Sequence, residues 1–219
     1  CVYRCVFCAF RSDLRDPKGY LMSDEQILAR GREAVDCGVT EMHIVGGLHP
    51  SLPFSYYTDM LKALKALNDE AGCDTPCAPS SHDQSRGAHG VTRPTKLHLK
   101  CFTAIEILHL AWMAKKTVEQ TLCELKDAGL ESLTGGGAEI FRKEVRSAIA
   151  KGKESAEEYL DVHRTWHKLG GRSTCTMLFG HVESLADRVD HLRQLRALQD
   201  EARANGYGVP ASAGPERGV

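Results

Sequence analysis

The chain has no excess of charge of either sign, and it lacks any long apolar run. Twenty-eight Lys and Arg stand against 29 Asp and Glu in 219 residues, for a net charge of −1. That balance removes the electrostatic case for a nucleic acid or an acidic membrane surface as partner. No stretch approaches the roughly 18–20 apolar residues that a membrane helix requires, and no secretory signal opens the sequence. What is abundant is cysteine: nine residues, an odd number, most of them single within apolar segments. A chain of this size with that distribution argues against a secreted disulfide scaffold and predicts a cytoplasmic protein with reduced thiols. With 42% apolar and 26% charged residues, one soluble globular domain is expected, with at most a loose appendage.

A unit of apolar strand, polar or glycine turn and capped helix recurs along the chain. Capping boxes at Ser23-Asp-Glu-Gln26, Thr117-Val-Glu-Gln120 and Ser155-Ala-Glu-Glu158 predict helices to about Asp36, Ala128 and Leu169. Pro53 and Phe54 open another helix to about Leu67, and a last one fills Ala186 to Arg203. Strands are predicted at Glu41–Val45, Lys96–Thr103, Leu130–Leu133 and Ser173–Phe179. This alternation predicts an α/β fold with a parallel sheet, helices outside it, and a site on the rim at the strands' C-terminal ends. Residues 71–95 are rich in Gly, Pro, Ser, Asp and His without an apolar period and are expected to be a disordered insertion; residues 205–219 are expected to be an irregular tail.

Cys1-Val-Tyr-Arg-Cys5-Val-Phe-Cys8 has C-x3-C-x2-C spacing. Three thiolates on such a loop can hold a [4Fe–4S] cluster and leave its fourth iron open. An open iron can chelate the amino and carboxylate groups of S-adenosylmethionine (SAM), and Phe7 is suited to pack against adenine. The alternative is structural zinc, which ordinarily takes four ligands; no fourth Cys or His lies nearby in the sequence.

This spacing resembles the radical SAM superfamily, where a glycine-rich turn after the second strand binds the methionine amino group. Gly46-Gly47-Leu48-His49-Pro50 stands at that point, with Leu48 replacing the usual acidic residue. Gly180-His-Val-Glu183 resembles the superfamily's G-x-x-E turn near adenine, and Glu139 after Gly135-Gly-Gly137 is a candidate acceptor for ribose hydroxyls. The cofactor-binding set is thus Phe7, Gly46, Gly47, Glu139, Gly180 and Glu183, with Cys1, Cys5 and Cys8 on the metal.

Longer segments resemble the aminodeoxyfutalosine synthases of menaquinone biosynthesis. These are His43–Pro50, Cys101–Ile107, Gly135–Phe141, Thr176–Glu183 and Arg188–Leu192. The resemblance implies a partial (β/α)6-type TIM-like barrel, truncated at both ends, with residues 1–204 as its core. It further implies addition of the 5′-deoxyadenosyl radical to 3-[(1-carboxyvinyl)oxy]benzoate, release of methionine and bicarbonate or CO2, and an electron donor such as flavodoxin or ferredoxin. The substrate's two carboxylates call for cationic or hydrogen-bonding groups, and His49, Arg11 and His181 are the candidates by position. The sister cyclic dehypoxanthinylfutalosine synthases remain an alternative, as does a metal-loop binding module without catalysis. Thr134 departs from the family's proline before the triple glycine. Cys73-x3-Cys77 is read as incidental, Trp112 and Trp166 as packing residues, and the His163/His167 pair as a solvated helix face.

Overall fold

The computed structural model describes residues 1–70 and 97–207, so the expected insertion, Cys73, Cys77 and most of the expected tail lie outside the described residues. Four strands form one all-parallel sheet in the order β1 (Glu41–Ile44), β2 (His98–Cys101), β3 (Ser132–Leu133) and β4 (Arg172–Ser173). Around them run α1 (Asp24–Asp36), α2 (Phe54–Glu70), α3 (Ala104–Ala114), α4 (Val118–Ala128), α5 (Lys143–Ile149), α6 (Ala156–Lys168) and α7 (Leu185–Ala204). Sequential parallel strands joined by helical crossovers are the partial TIM-like barrel that the sequence predicts. None of the described helices is long and apolar enough to cross a membrane.

The helix starts follow from local chemistry. Ser23, Thr117 and Ser155 each accept the N3 amide while the N3 Gln or Glu reaches back to the cap amide, as the capping boxes predict. Thr103 and Glu106 form a further box, opening α3, and Ser184 and Asp187 another, opening α7.

Strand periodicity then decides which side chains meet the helices. Leu99, Cys101 and Leu133 are fully buried in one apolar cluster with Leu61, Leu64, Ile107, Leu122, Leu125, Val162 and Trp166, and Met42 and Ile44 pack against it. Each fully buried aliphatic side chain contributes on the order of 1.5–3 kcal/mol. Gly31 lets α1 close on α2, since a Cβ there would lie 2.6 Å from Leu64 and Leu67 methyls.

Three expectations need correction. The strand predicted over Ser173–Phe179 pairs only at Arg172–Ser173; beyond it the Leu178 amide donates to the Glu139 carbonyl and His191 bonds the Thr176 carbonyl, so the chain is captured by loops. Trp112 is 73% exposed, whereas Trp166 is buried and donates to the Arg172 carbonyl. His163 is not solvated but 1% exposed, beside Tyr159, with neither ring nitrogen hydrogen-bonded to any described residue.

Candidate functional site

The cysteine loop and the glycine turn are brought together at the C-terminal rim of the sheet. The Val2 amide donates to the Leu48 carbonyl (3.1 Å), and the Val6 amide to the Ile149 carbonyl (3.0 Å), which anchors the loop at two points. The Cys8 amide donates to the Cys5 carbonyl (3.3 Å), curling the C-x2-C segment into a turn. A Cβ on Gly47 would lie 3.2 Å from the Cys1 Cβ, a tight approach that glycine makes without displacing the first cysteine. Leu48 is buried, which accounts for an apolar residue where the superfamily's turn is usually acidic.

The donor set is three thiols. Cys1 and Cys5 are partly buried and Cys8 is exposed; all seven described cysteines are free. Burial pushes the Cys5 thiol above its ordinary value, with the Lys153 charge opposing that shift. Among the described residues no three His, Cys, Asp or Glu side chains converge closely enough for a single metal ion. A cubane offers a different iron to each thiolate and needs only three of them, whereas structural zinc ordinarily takes four ligands.

The rim is stitched by side chains that sequence reasoning did not single out. Glu106 is buried, and its Oε1 accepts the Gly46 amide (2.8 Å) across 60 residues of sequence. Its Oε2 accepts the Thr103 amide and hydroxyl, both at 2.7 Å. Burial pushes this carboxyl upward, against the pull of those hydrogen bonds. One carboxylate therefore fixes both the glycine turn after β1 and the turn after β2. The Thr103-x-x-Glu106 pattern was its available signal. At the next junction the Thr134 amide and hydroxyl both donate to the Phe102 carbonyl (3.0 and 2.8 Å), a pair that proline could not make. The Gly135 carbonyl accepts from the Tyr159 and Thr176 hydroxyls, and a Cβ on Gly135 would collide with the Cys175 backbone at 2.4 Å.

Behind the cysteine loop lies a buried charged group. Lys153 Nζ meets Glu139 Oε1 at 2.6 Å, and both side chains are largely enclosed. Arg146 donates to the Gly137, Ala138 and Glu154 carbonyls. The Glu154 carboxylate has no hydrogen-bond partner among the described residues, and burial pushes it up to about 7 despite Lys153 and Arg146. No local pattern announces these pairs, because Lys153 and Glu139 are 14 residues apart.

The other expected site residues divide. Gly47 lies beside Cys1 and Gly46 beside Glu106, and Phe7 is 43% exposed. Glu139 is engaged with Lys153 instead of standing free on the rim. Glu183 closes its own turn: it accepts the Gly180 and His181 amides (2.6 and 3.0 Å) and pairs with Arg188. The Gly180 amide first, then the other bonds, hold its carboxyl down at about 2. His181 Nε2 donates to the Leu178 carbonyl (2.9 Å) while Nδ1 accepts the Val182 amide (2.8 Å), so both nitrogens serve the same turn. Arg11 pairs with Asp13 at 3.1 Å, although its Nε is buried without a partner. His49 accepts the Ser51 amide at Nδ1, and its carbonyl accepts His109 Nε2 (2.8 Å), placing it beside α3.

Comparison with known proteins agrees with this arrangement. The chain is 38% identical over 212 residues, 97% of its length, to the 5-amino-6-(D-ribitylamino)uracil–L-tyrosine 4-hydroxyphenyl transferase of Methanopyrus kandleri, covering 50% of that protein. It is 36% identical to the aminodeoxyfutalosine synthase of Thermus thermophilus, over 99% of the chain and 51% of that protein. With the Streptomyces coelicolor aminodeoxyfutalosine synthase it shares 38% identity, over 92% of the chain and 45% of the relative. The chain thus spans about half the length of the curated relatives it matches. Residues 1–195 match the radical SAM superfamily, and with its three-cysteine loop set against a glycine turn on a parallel α/β sheet, this chain belongs to that superfamily.

Proposed function

We propose that Cys1, Cys5 and Cys8 hold a [4Fe–4S] cluster, that the Gly46-Gly47 turn takes the methionine end of SAM, and that the chain carries the chemistry of an aminodeoxyfutalosine synthase. The single observation that carries this reading is the contact of Cys1 with Gly47, reinforced by the Val2–Leu48 hydrogen bond. A bound cluster supplies the electron that cleaves the SAM sulfonium and releases methionine.

The protein's own residues do the positioning. Glu106 accepts the Gly46 amide, which fixes the turn that would meet the ammonium end of the ligand. The open backbone at Gly47 admits the cysteine loop beside that ligand. In the proposed reaction the adenosyl carbon adds to the enol-ether double bond of 3-[(1-carboxyvinyl)oxy]benzoate, the adduct radical rearranges, and its carboxylate leaves as bicarbonate or CO2 while the one electron taken up to open SAM is given back, so that the product is closed-shell. Flavodoxin or ferredoxin is the electron donor in this reading, and the free thiols of all seven described cysteines fit the reducing cytoplasm.

The 38% identity to the hydroxyphenyl transferase favours a second reading, coupling of a tyrosine-derived fragment to a ribitylated uracil. Mass spectrometry on the anaerobically reconstituted, reduced protein separates them. The first reading expects a coupled adenosyl–benzoate product that is absent from Cys5→Ala. Product only from tyrosine and 5-amino-6-(D-ribitylamino)uracil would replace it with the second.

A further inference from the structure

The face of the sheet opposite the apolar cluster is polar where a TIM-like barrel ordinarily packs layers of branched aliphatic side chains. Register and alternation fix its composition. His43 of β1 pairs with Lys100 of β2, which pairs with Ser132 of β3; Glu41 pairs with His98 one step lower. These five residues share one face, because Met42, Ile44, Leu99, Cys101 and Leu133 point to the other. Their contacts confirm it: Glu41 Oε1 meets Lys100 Nζ at 2.7 Å and His43 Nε2 at 2.6 Å, and His98 Nε2 meets Ser132 Oγ at 2.7 Å.

The charges in this row are organised around Lys100. Its side chain is only 12% exposed, so its ammonium is partly desolvated, yet among the described residues it has one hydrogen-bond partner, Glu41. An ammonium has three donors, which leaves two for a further acceptor. Glu41 is held below the usual carboxylate range, by Lys100 first and His43 second, and is therefore an acceptor only. The proton in its bond to His43 must then sit on Nε2, which orients the imidazole and leaves Nδ1 open. A single carboxylate thus holds two nitrogen groups in place without using up their donors. Along β1, His43 and Glu41 stand three and five residues before Gly46.

We infer that Lys100, oriented by Glu41 and flanked by His43, forms a carboxylate-binding floor beneath the glycine turn, and that a carboxylate of the small-molecule substrate seats there. This rests on the proposed function only for the name of the substrate; the preference for a carboxylate comes from the row itself. A desolvated charge-assisted hydrogen bond contributes roughly 1.5–3 kcal/mol, about a 10- to 150-fold change in affinity.

The test measures equilibrium binding of isophthalate, a simple aromatic dicarboxylate, to reconstituted full chain with SAM present. Lys100→Met is expected to weaken isophthalate at least tenfold while leaving SAM affinity unchanged. Glu41→Gln, which removes the carboxylate charge that competes for the ammonium while keeping an acceptor oxygen to orient it, is expected to tighten isophthalate, giving a result of opposite sign should Lys100→Met not fold. Wild-type protein that fails to bind isophthalate, or that binds it equally with and without Lys100, overturns the inference. Lys100-dependent binding of isophthalate without turnover of 3-[(1-carboxyvinyl)oxy]benzoate would uphold the floor and sink the assigned reaction instead.

Discussion

Replacing Glu106 by Gln changes one atom and tests how the rim is built. The carboxylate accepts three hydrogen bonds, from the Gly46 amide at 2.8 Å and from the Thr103 amide and hydroxyl at 2.7 Å each. A glutamine has one acceptor oxygen, and its NH2 would face a backbone N–H. Either the Gly46 bond or the α3 cap must therefore fail. A hydrogen bond to a buried charged group is worth about 1.5–3 kcal/mol, and a lost cap about 1. Part of this is offset, because burial already makes the ionised carboxyl costly. A net loss of about 2 kcal/mol follows, or roughly 4–8 °C in Tm for a chain of this size. The distinguishing readout is SAM affinity, expected to fall at least tenfold as the glycine turn loosens. Thr103→Ala removes only the hydroxyl donor, leaves the Gly46 bond intact, and should weaken the fold by less than about 1 kcal/mol with SAM affinity unchanged. Thermal melts and SAM binding on the three proteins decide the matter. Glu106→Gln that melts and binds SAM as wild type does would refute the reasoning.

Two further predictions concern buried polar groups. His163, buried and without hydrogen bonds, has its folded pKa lowered from 6.5 to about 3 by burial, with the nearby His167 adding to the effect. The unfolded chain takes up the proton first, so this stability is complete above about pH 6.5 and is lost as pH falls toward 3; urea titrations should lose about 2 kcal/mol between pH 7 and 5, and His163→Phe should flatten that slope. Lys153→Met strands Glu139 in a largely enclosed site and should cost about 3–5 kcal/mol, whereas Lys153→Met with Glu139→Gln should recover most of it, as measured by chemical denaturation. A double variant no more stable than Lys153→Met alone would contradict that pairing.

What was legible in the sequence was local. The helices beginning at Asp24, Val118 and Ala156 are written in their capping boxes, and the order of strands and helices follows from them. Helix α3 escaped the same reading because Ala104–Ala114 is apolar almost all round, with no amphipathic stripe, and follows directly on a strand. The cysteine loop and glycine turn were visible as motifs, but their contact was not, since Cys1 and Gly47 are far apart in sequence. Glutamates 139 and 183 have partners that no local pattern announced: the first answers Lys153 and the second closes its own turn. The polar row of His43, Lys100 and Ser132 needed the sheet register to be seen at all.

The most direct test of the central claim is the electron paramagnetic resonance spectrum of the reconstituted, reduced protein before and after SAM is added. A cubane signal that shifts with SAM, and that vanishes in Cys5→Ala, is the predicted result. A cluster whose spectrum is indifferent to SAM, or a signal that survives loss of Cys5, would contradict the account of a three-cysteine loop leaving one iron open beside Gly46 and Gly47.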